Sequence, residues 1–390
     1  MLRDLAALAA SADPAQLGAL GAQLRAAGLN ARALAAWAGT TRVAALPARL
    51  DEMSGDPATP AGAVLALFVA CAEVARDRLG GAAATAIDAL VACGLIEGDA
   101  ARLRARIAIV PIGSALLVCD RLDAAIERDL VCWPDDSSHH LASAIPAGRR
   151  ADWLDLGCGS AFAPLARPEL AHRITGIDLN PRAVRYAQLG ATLSGISHLT
   201  ASQGDVADRR SPAELVTCNA PMPDLADAQA TSAGSSDPDG APTTIPGPPD
   251  PDGAPTTTPG PPRPDDTSTG ASSGASTGAS RAARLRGALP EIWRHADAGF
   301  FPRLWPALRQ AVRPGGLIVV HGACAVMLPA LAEAPGERVV VRYTPDGAPG
   351  FAIAWWRPDA PARLVSAHRA LTAERPHLDP RDRDDALATT

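Results

Sequence analysis

The stretch Ala151-Asp-Trp-Leu-Asp-Leu-Gly-Cys-Gly-Ser-Ala161 decides how the rest of the chain is read. A short apolar run, an acid, then Gly157 and Gly159 describe a buried strand feeding a tight turn, with Ser160 placed to open the next helix. Glycine there can adopt positive φ and has no Cβ, so the backbone approaches a ligand closely while the N–H groups of the following helix point at it. After a short helix closed by Pro168, Arg173-Ile-Thr-Gly-Ile-Asp178 reads as a second strand ending in a carboxylate, 21 residues beyond Gly157. An acid about twenty residues after a glycine turn is where an α/β nucleotide site grips ribose hydroxyls.

Downstream the alternation of strand and helix continues. Asn180 is a good N-cap and Pro181 suits the first helical position, so a helix is expected over Pro181–Ser194, stopped by Gly195. A third strand, Ser197–Gln203, ends at Gly204-Asp205-Val206, and a fourth, Glu214–Cys218, delivers Asn219-Ala-Pro-Met222 to the edge where ligands of open α/β sheets sit. Phe301–Val312 reads as a helix, Arg313-Pro-Gly-Gly-Leu-Ile-Val-Val-His321 as a turn and fifth strand, and Arg338–Tyr343 with Gly350–Trp356 as a closing hairpin. The last thirty residues read as a helix and a frayed tail.

Asp155-Leu-Gly-Cys-Gly-Ser160, followed by Gly176-Ile-Asp-Leu-Asn-Pro181, resembles the first two motifs of the class I S-adenosylmethionine-dependent methyltransferases. A dinucleotide dehydrogenase would show Gly-x-Gly-x-x-Gly, and Phe162 stands where its third glycine belongs. The methyltransferase turn's own third glycine is replaced by Ala161. The resemblance implies an α/β fold: a Rossmann-like seven-stranded sheet, mostly parallel with the last strand antiparallel. It implies S-adenosylmethionine as cofactor, held by Asp155, Gly157, Cys158, Gly159, Asp178, Leu179, Asp205, Val206 and Asn219. In that reading Asp178 takes the ribose, Asp205 the adenine amino group, and Val206 covers the ring.

In the amino-methylating branches of this superfamily the loop after the fourth strand is Asn/Asp-Pro-Pro-aromatic. Asn219 and Pro221 match it; Ala220 and Met222 do not. The resemblance therefore implies Asn219, Pro221 and Met222 as the catalytic loop, with a base-stacking surface worth roughly 1–3 kcal/mol removed and a soft thioether in its place that can still flank a planar amide. A helical N-terminal domain before such a loop looks most like the small-domain methyltransferases of ribosomal RNA guanines, with the release-factor glutamine methyltransferases close by. The expected enzyme transfers a methyl group to a nitrogen of RNA or protein; a small-molecule acceptor or a non-catalytic S-adenosylmethionine-binding module are the alternatives. The oligomeric state is left open.

With 390 residues the chain is long enough for two domains. It contains no lysine, so all 36 basic residues are arginines, and the net charge is −6. Residues 224–281 form a separate compositional block in which Asp237–Pro249 recurs as Asp250–Pro262 with Ile245 exchanged for Thr258, followed by a Ser/Thr/Gly/Ala tract. Such a block cannot bury enough apolar surface to order itself and is expected to be disordered. Over 224–280 its eight Asp and one Arg give −7, which leaves +1 on the rest of the chain. The expected organisation is a helical N-terminal domain over 1–122, a methyltransferase domain over 123–223 and 282–365, the 224–281 insert, and a 366–390 tail.

The N-terminus lacks a signal-peptide pattern, and the longest apolar run, Ala61–Ala75, is broken by Glu73 and too short to span a bilayer, so a cytoplasmic, membrane-free protein is expected. Seven cysteines, scattered without a Cys-x-x-Cys pair, argue against a disulfide framework or a zinc cluster. Helical spacing dominates Leu2–Leu95, and a helix over Ala82–Gly94 followed by strands Arg102–Val110 and Ser114–Cys119 suggests a winged helix. Arg102, Arg104 and Arg106 would share one strand face, as a phosphate row or as a solvated surface beside Glu97 and Asp99. Residues 120–150, with His139-His140, read as a loop over the cofactor pocket; adjacent histidines on an extended segment point apart, and no metal is expected.

Overall fold

The computed structural model describes residues 13–40, 43–47, 59–124, 129–208, 210–222, 299–344 and 350–389; the 224–281 insert lies outside them. Among the described residues the first elements are helices α1 (Pro14–Ala26), α2 (Ala31–Ala38) and α3 (Pro60–Phe68), then strand β1 (Glu73–Ala75) and helix α4 (Gly80–Ala92). Strands β2 (Ile96–Gly98) and β3 (Arg102–Ala105) form a hairpin, with β1 on the far side of β3. Next comes a second hairpin of β4 (Ala108–Ile112) and β5 (Ala115–Cys119).

The helix-plus-hairpin expected here is present with a different partner. The single strand read over Arg102–Val110 bends at Arg106-Ile107 into two strands belonging to separate sheets. The bend arises because Arg106 is tied to the end of α4, its backbone N–H donating to Leu95 O at 2.9 Å and its Nη1 to Gly94 O at 3.0 Å. The arginine row is largely matched by acids, Arg102 with Glu73 at 3.1 Å and Arg104 with Asp123 at 2.8 Å.

Residues 120–150, read as a loop, carry helix α5 (Asp136–Ala144), started by Asp135, whose carboxylate accepts the Ser138 N–H at 3.2 Å. The central sheet follows: β6 (Arg150–Leu156), helix α6 (Phe162–Ala166), β7 (Ala171–Asp178), helix α7 (Pro181–Ser194), β8 (Leu199–Gln203) and β9 (Ala213–Asn219). Helix α8 (Phe300–Ala311) leads to β10 (Val312–Ala323), helix α9 (Cys324–Glu333), β11 (Glu337–Arg342), β12 (Phe351–Arg357), β13 (Arg363–His368) and helix α10 (Pro380–Ala388).

The strand order is β13-β11-β12-β10-β9-β6-β7-β8, a Rossmann-like α/β sheet in which β12 alone runs antiparallel to its neighbours. It has eight strands rather than the seven expected, because β13 extends the edge beside β11 and α10 packs there in place of a frayed tail. Only Val365 of β13 is buried, so this edge strand carried almost no hydrophobic signal. Reaching that edge, the chain passes across the start of β11 at Gly336, which has φ +84° and whose added Cβ would lie 2.1 Å from Arg357 O. Gly336→Ala should therefore cost on the order of 2 kcal/mol in chemical denaturation, from left-handed strain and a backbone collision. A change below 0.5 kcal/mol would show that the crossing relaxes.

Alternation along the strands divides the core between two faces. Trp153, Leu215, Val319 and Trp355 face α5, α6 and α7, whereas Leu154, Val216, Ile318 and Trp356 face α8 and α9. The first cluster continues without a break into Leu24, Phe68 and Leu90, so the N-terminal helices share a core with the sheet. Gly21 of α1 permits this contact, since a Cβ there would fall 1.8 Å from Leu193 O at the end of α7. Among the described residues no helix is long and apolar enough to cross a membrane.

Candidate functional site

The carboxyl ends of β9, β6, β7 and β8 lie side by side and present, in order, Asn219, Asp155 with the glycine turn, Asp178 with Leu179, and the Gly204-Asp205-Val206 corner. Gly157 and Gly159 have φ of +67° and +54°, and a Cβ added at either would meet nothing within 4 Å. Glycine is needed here for backbone conformation, and the space in front of the turn is open to a ligand. Ala161 holds the third left-handed position at φ +61° with its side chain buried. An alanine there stores about 1–2 kcal/mol of strain.

Asp178 closes the turn. Its Oδ2 accepts the Gly159 N–H at 2.8 Å and its Oδ1 the Asn180 N–H at 2.8 Å, while the N–H groups of Gly157 and Cys158 donate to Ile177 O at 2.8 and 3.0 Å. Burial raises its carboxyl above the ordinary range, against the pull of these two donors. Each carboxylate oxygen keeps a further lone pair. Leu179, at 67% exposed, is one of two large apolar side chains standing in solvent among the described residues, an apolar platform at the strand end. The Gly204 N–H donates to Asp178 O at 3.0 Å, which draws the third corner against the second.

Asp155 and Cys158 turn inward from this rim. The Asp155 carboxyl is 4% exposed and accepts the Thr217 hydroxyl at 2.5 Å; Trp153 Nε1 in turn donates to Thr217 at 2.7 Å. Burial pushes Asp155 up to about 7, with nearby Asp178 adding to the rise. Cys158 packs on the adjacent strand, where a Cβ on Gly176 would come 2.8 Å from its Sγ, and burial raises its thiol well above normal. At the third corner Asp205 is folded into its own turn, Oδ1 accepting the Ala207 N–H at 2.8 Å, while Arg210 Nη2 donates to Asp205 O at 2.6 Å. No helix covers the described residues between β8 and β9. Val206, Leu154, Arg210 and Gln310 line a cleft of about 410 Å³ there.

Asn219 sits half-buried at the end of β9 with both ends of its carboxamide engaged. Nδ2 donates to Ser137 Oγ at 2.8 Å, and Oδ1 lies 2.8 Å from His321 Nδ1. His321 Nε2 lies 2.6 Å from the Tyr343 hydroxyl, and Ser137 Oγ donates to Asp135 Oδ1 at 2.5 Å. Burial, with His140 nearby, pushes His321 down to about 3, so the ring is neutral. Pro221 and Met222 are half-buried beside Asn219. Asp135, Ser137, His321 and Tyr343 carried no functional reading from sequence; the one usable signal was a histidine ending a parallel strand at the ligand edge.

The paired histidines sit on a helix, not an extended segment. His139 stacks on His377 at 5.1 Å, and His140 on Tyr343 at 4.1 Å. Among the described residues no cluster of three or more histidine, cysteine or acidic side chains could hold a metal.

No protein-family model matches the chain. Its similarity to solved structures is distant. The YcgJ protein of Bacillus subtilis is 10% identical, matched over 48% of this chain and half of its own length, with a TM-score of 0.26. A TehB-like S-adenosylmethionine-dependent methyltransferase of Corynebacterium glutamicum is 9% identical over 57% of this chain and 87% of its own, TM-score 0.29. A Listeria monocytogenes protein assigned to the class I S-adenosylmethionine-dependent methyltransferases is 12% identical over 68% and 73%, TM-score 0.38.

Proposed function

We propose that this chain is an S-adenosylmethionine-dependent methyltransferase whose cofactor lies across the ends of β6, β7 and β8 and whose acceptor is a nitrogen of RNA or protein. The carrying observation is the glycine turn: two left-handed glycines, open space where their side chains would be, and a strand-end carboxylate bound to the turn's backbone. When bound, the cofactor supplies a methyl group already activated by its sulfonium, so no strong acid or base is required of the protein. Gly157 and Gly159 admit the ligand to backbone distance, the remaining lone pairs of Asp178 receive hydroxyls, and Leu179 offers an apolar face to a flat ring. Asn219-Ala-Pro-Met222, at the end of the strand beside the turn, orients the acceptor toward the methyl carbon.

Calorimetry with S-adenosylmethionine tests the cofactor, and transfer of labelled methyl into fractionated RNA, protein and small molecules tests the acceptor. Asp178→Ala should weaken cofactor binding by roughly 1.5–3 kcal/mol, or about ten- to 150-fold, through loss of a charge-assisted hydrogen bond and loosening of the turn. No binding to the intact protein would overturn the proposal. The double engagement of the Asn219 carboxamide favours one second reading, a cofactor-binding module without catalysis. Binding with no labelled product in any fraction would support it.

A further inference from the structure

The polar chain through Asn219 has only one consistent direction. Asp135 is an acceptor, so the single Ser137 hydroxyl proton goes to it and Ser137 Oγ must accept from Asn219 Nδ2. That leaves Asn219 Oδ1 facing His321 Nδ1, which must carry the imidazole proton. Nε2 is then the acceptor for the Tyr343 hydroxyl. The His321 ring lies nearly parallel to Phe351, at 5.8 Å and 9°, and to His140, at 6.5 Å and 6°, and is 2% exposed. Rotating the Asn219 amide by half a turn would set its NH₂ against the His321 N–H and its oxygen against the Ser137 oxygen, leaving buried polar groups unpaired.

We propose that His321 and Tyr343 are positioning residues that lock the Asn219 carboxamide in one orientation, with one Oδ1 lone pair and one Nδ2 hydrogen left for the acceptor. The function of this lock rests on the methyl-transfer reading above; its existence does not. Asp135, through Ser137, sets the amide, the amide calls for the Nδ1–H tautomer of His321, and the Tyr343 hydroxyl, able to donate, completes that tautomer at Nε2. Neither residue needs to touch cofactor or acceptor, and His321, with both nitrogens committed, is not a base.

The test uses the full chain with its asparagine side chains labelled for NMR, in wild type, His321→Phe, His321→Gln and Tyr343→Phe. His321→Phe keeps a flat ring beside Phe351 and His140 but removes both polar atoms; His321→Gln restores an N–H for Asn219 Oδ1. The Asn219 amide should give one slowly exchanging pair of N–H signals in wild type and His321→Gln, and averaged, faster-exchanging signals in His321→Phe. On the fraction that wild type labels, His321→Phe should lower kcat about ten- to hundredfold, as expected for a mispositioned reacting group. KM and cofactor affinity should stay within about twofold, because the lock acts on orientation and not on binding. Tyr343→Phe should give a smaller loss in the same direction, and it preserves packing should His321→Phe fail to fold. An Asn219 amide unaffected by His321→Phe and Tyr343→Phe, or undiminished kcat in both, would overturn the proposal while leaving the methyltransferase reading intact. If wild type binds no S-adenosylmethionine and labels nothing, that reading fails instead, and the amide signals alone still decide whether the lock exists.

Discussion

Asp155→Asn is expected to stabilise the protein increasingly as pH rises, by about 3 kcal/mol more at pH 8 than at pH 4.5 relative to wild type. Asp155 is buried beneath the glycine turn, and its carboxyl is pushed up to about 7 from an ordinary value of 3.8. Between those two values the unfolded chain has released this proton and the folded chain still holds it, so folding grows less favourable as pH rises through the window. Above the folded value the deficit is complete, and the carboxylate stays charged and nearly dry with only the Thr217 hydroxyl and its neighbours to hold it. His321 works in the opposite sense. Held down to about 3, it favours the fold above its unfolded value and loses that contribution as pH falls through the acid range. Both proteins share His321 and every other group, so the difference between denaturation curves reports Asp155 together with its coupling to Asp178. A difference that stays flat from pH 4.5 to 8 would mean that water reaches this carboxyl and the turn's floor is wet.

Asp120→Ala should be among the most destabilising single changes in the chain, costing about 3–5 kcal/mol. Asp120 Oδ2 accepts Arg182 Nη1 at 3.0 Å and the Val131 N–H at 2.8 Å, and Oδ1 accepts the Tyr186 hydroxyl at 2.8 Å. Both members of the ion pair are buried, their side chains 9% and 5% exposed, so removing the acid strands a cation. Arg182 keeps its contact with Asp129, at 3.2 Å and half in solvent, which is a weaker match than the buried Asp120. The same loss reaches the candidate site, because Asn180, next to Leu179 and Asp178, donates through Nδ2 to Asp129 O at 2.8 Å. Hydrogen exchange at Val131 should accelerate in Asp120→Ala. The triple change Asp120→Leu, Arg182→Met and Tyr186→Phe should recover part of the stability, since it removes the stranded cation and hydroxyl together and leaves only the Val131 N–H without its acceptor. A loss below 1 kcal/mol in Asp120→Ala would show that Arg182 is satisfied without Asp120.

The sequence by itself determined the parallel half of the sheet and the ligand edge. Helix α7 runs over the residues expected, with Asn180 Oδ1 accepting the Arg182 N–H and Gly195 at φ +73° ending it. The strands ending at Asp178, Gln203 and Asn219 and the glycine turn lie within two residues of their expected ends. These features are local, since caps, left-handed glycines and continuous apolar runs depend on a few neighbouring residues. The Asp135 cap of α5 is equally local, but the helix it starts, Asp-Ser-Ser-His-His-Leu-Ala-Ser-Ala, is too polar to show an apolar period.

Tertiary structure alone decided what depends on contacts distant in sequence. Nothing near Arg363–His368 declares that it pairs with β11, because an edge strand with one buried side chain has almost no pattern of its own. The split of Arg102–Val110 into two sheets follows from the end of α4, which sets where the chain must bend. Asp155 and Cys158 stand inside a ligand motif yet point into the core, a direction set by Thr217 and Gly176 on the strands either side. The chain from Tyr343 through His321, Asn219 and Ser137 to Asp135 joins residues up to 208 positions apart. Only the side-by-side ending of β9 and β10, with α5 laid across them, brings those groups within hydrogen-bond reach.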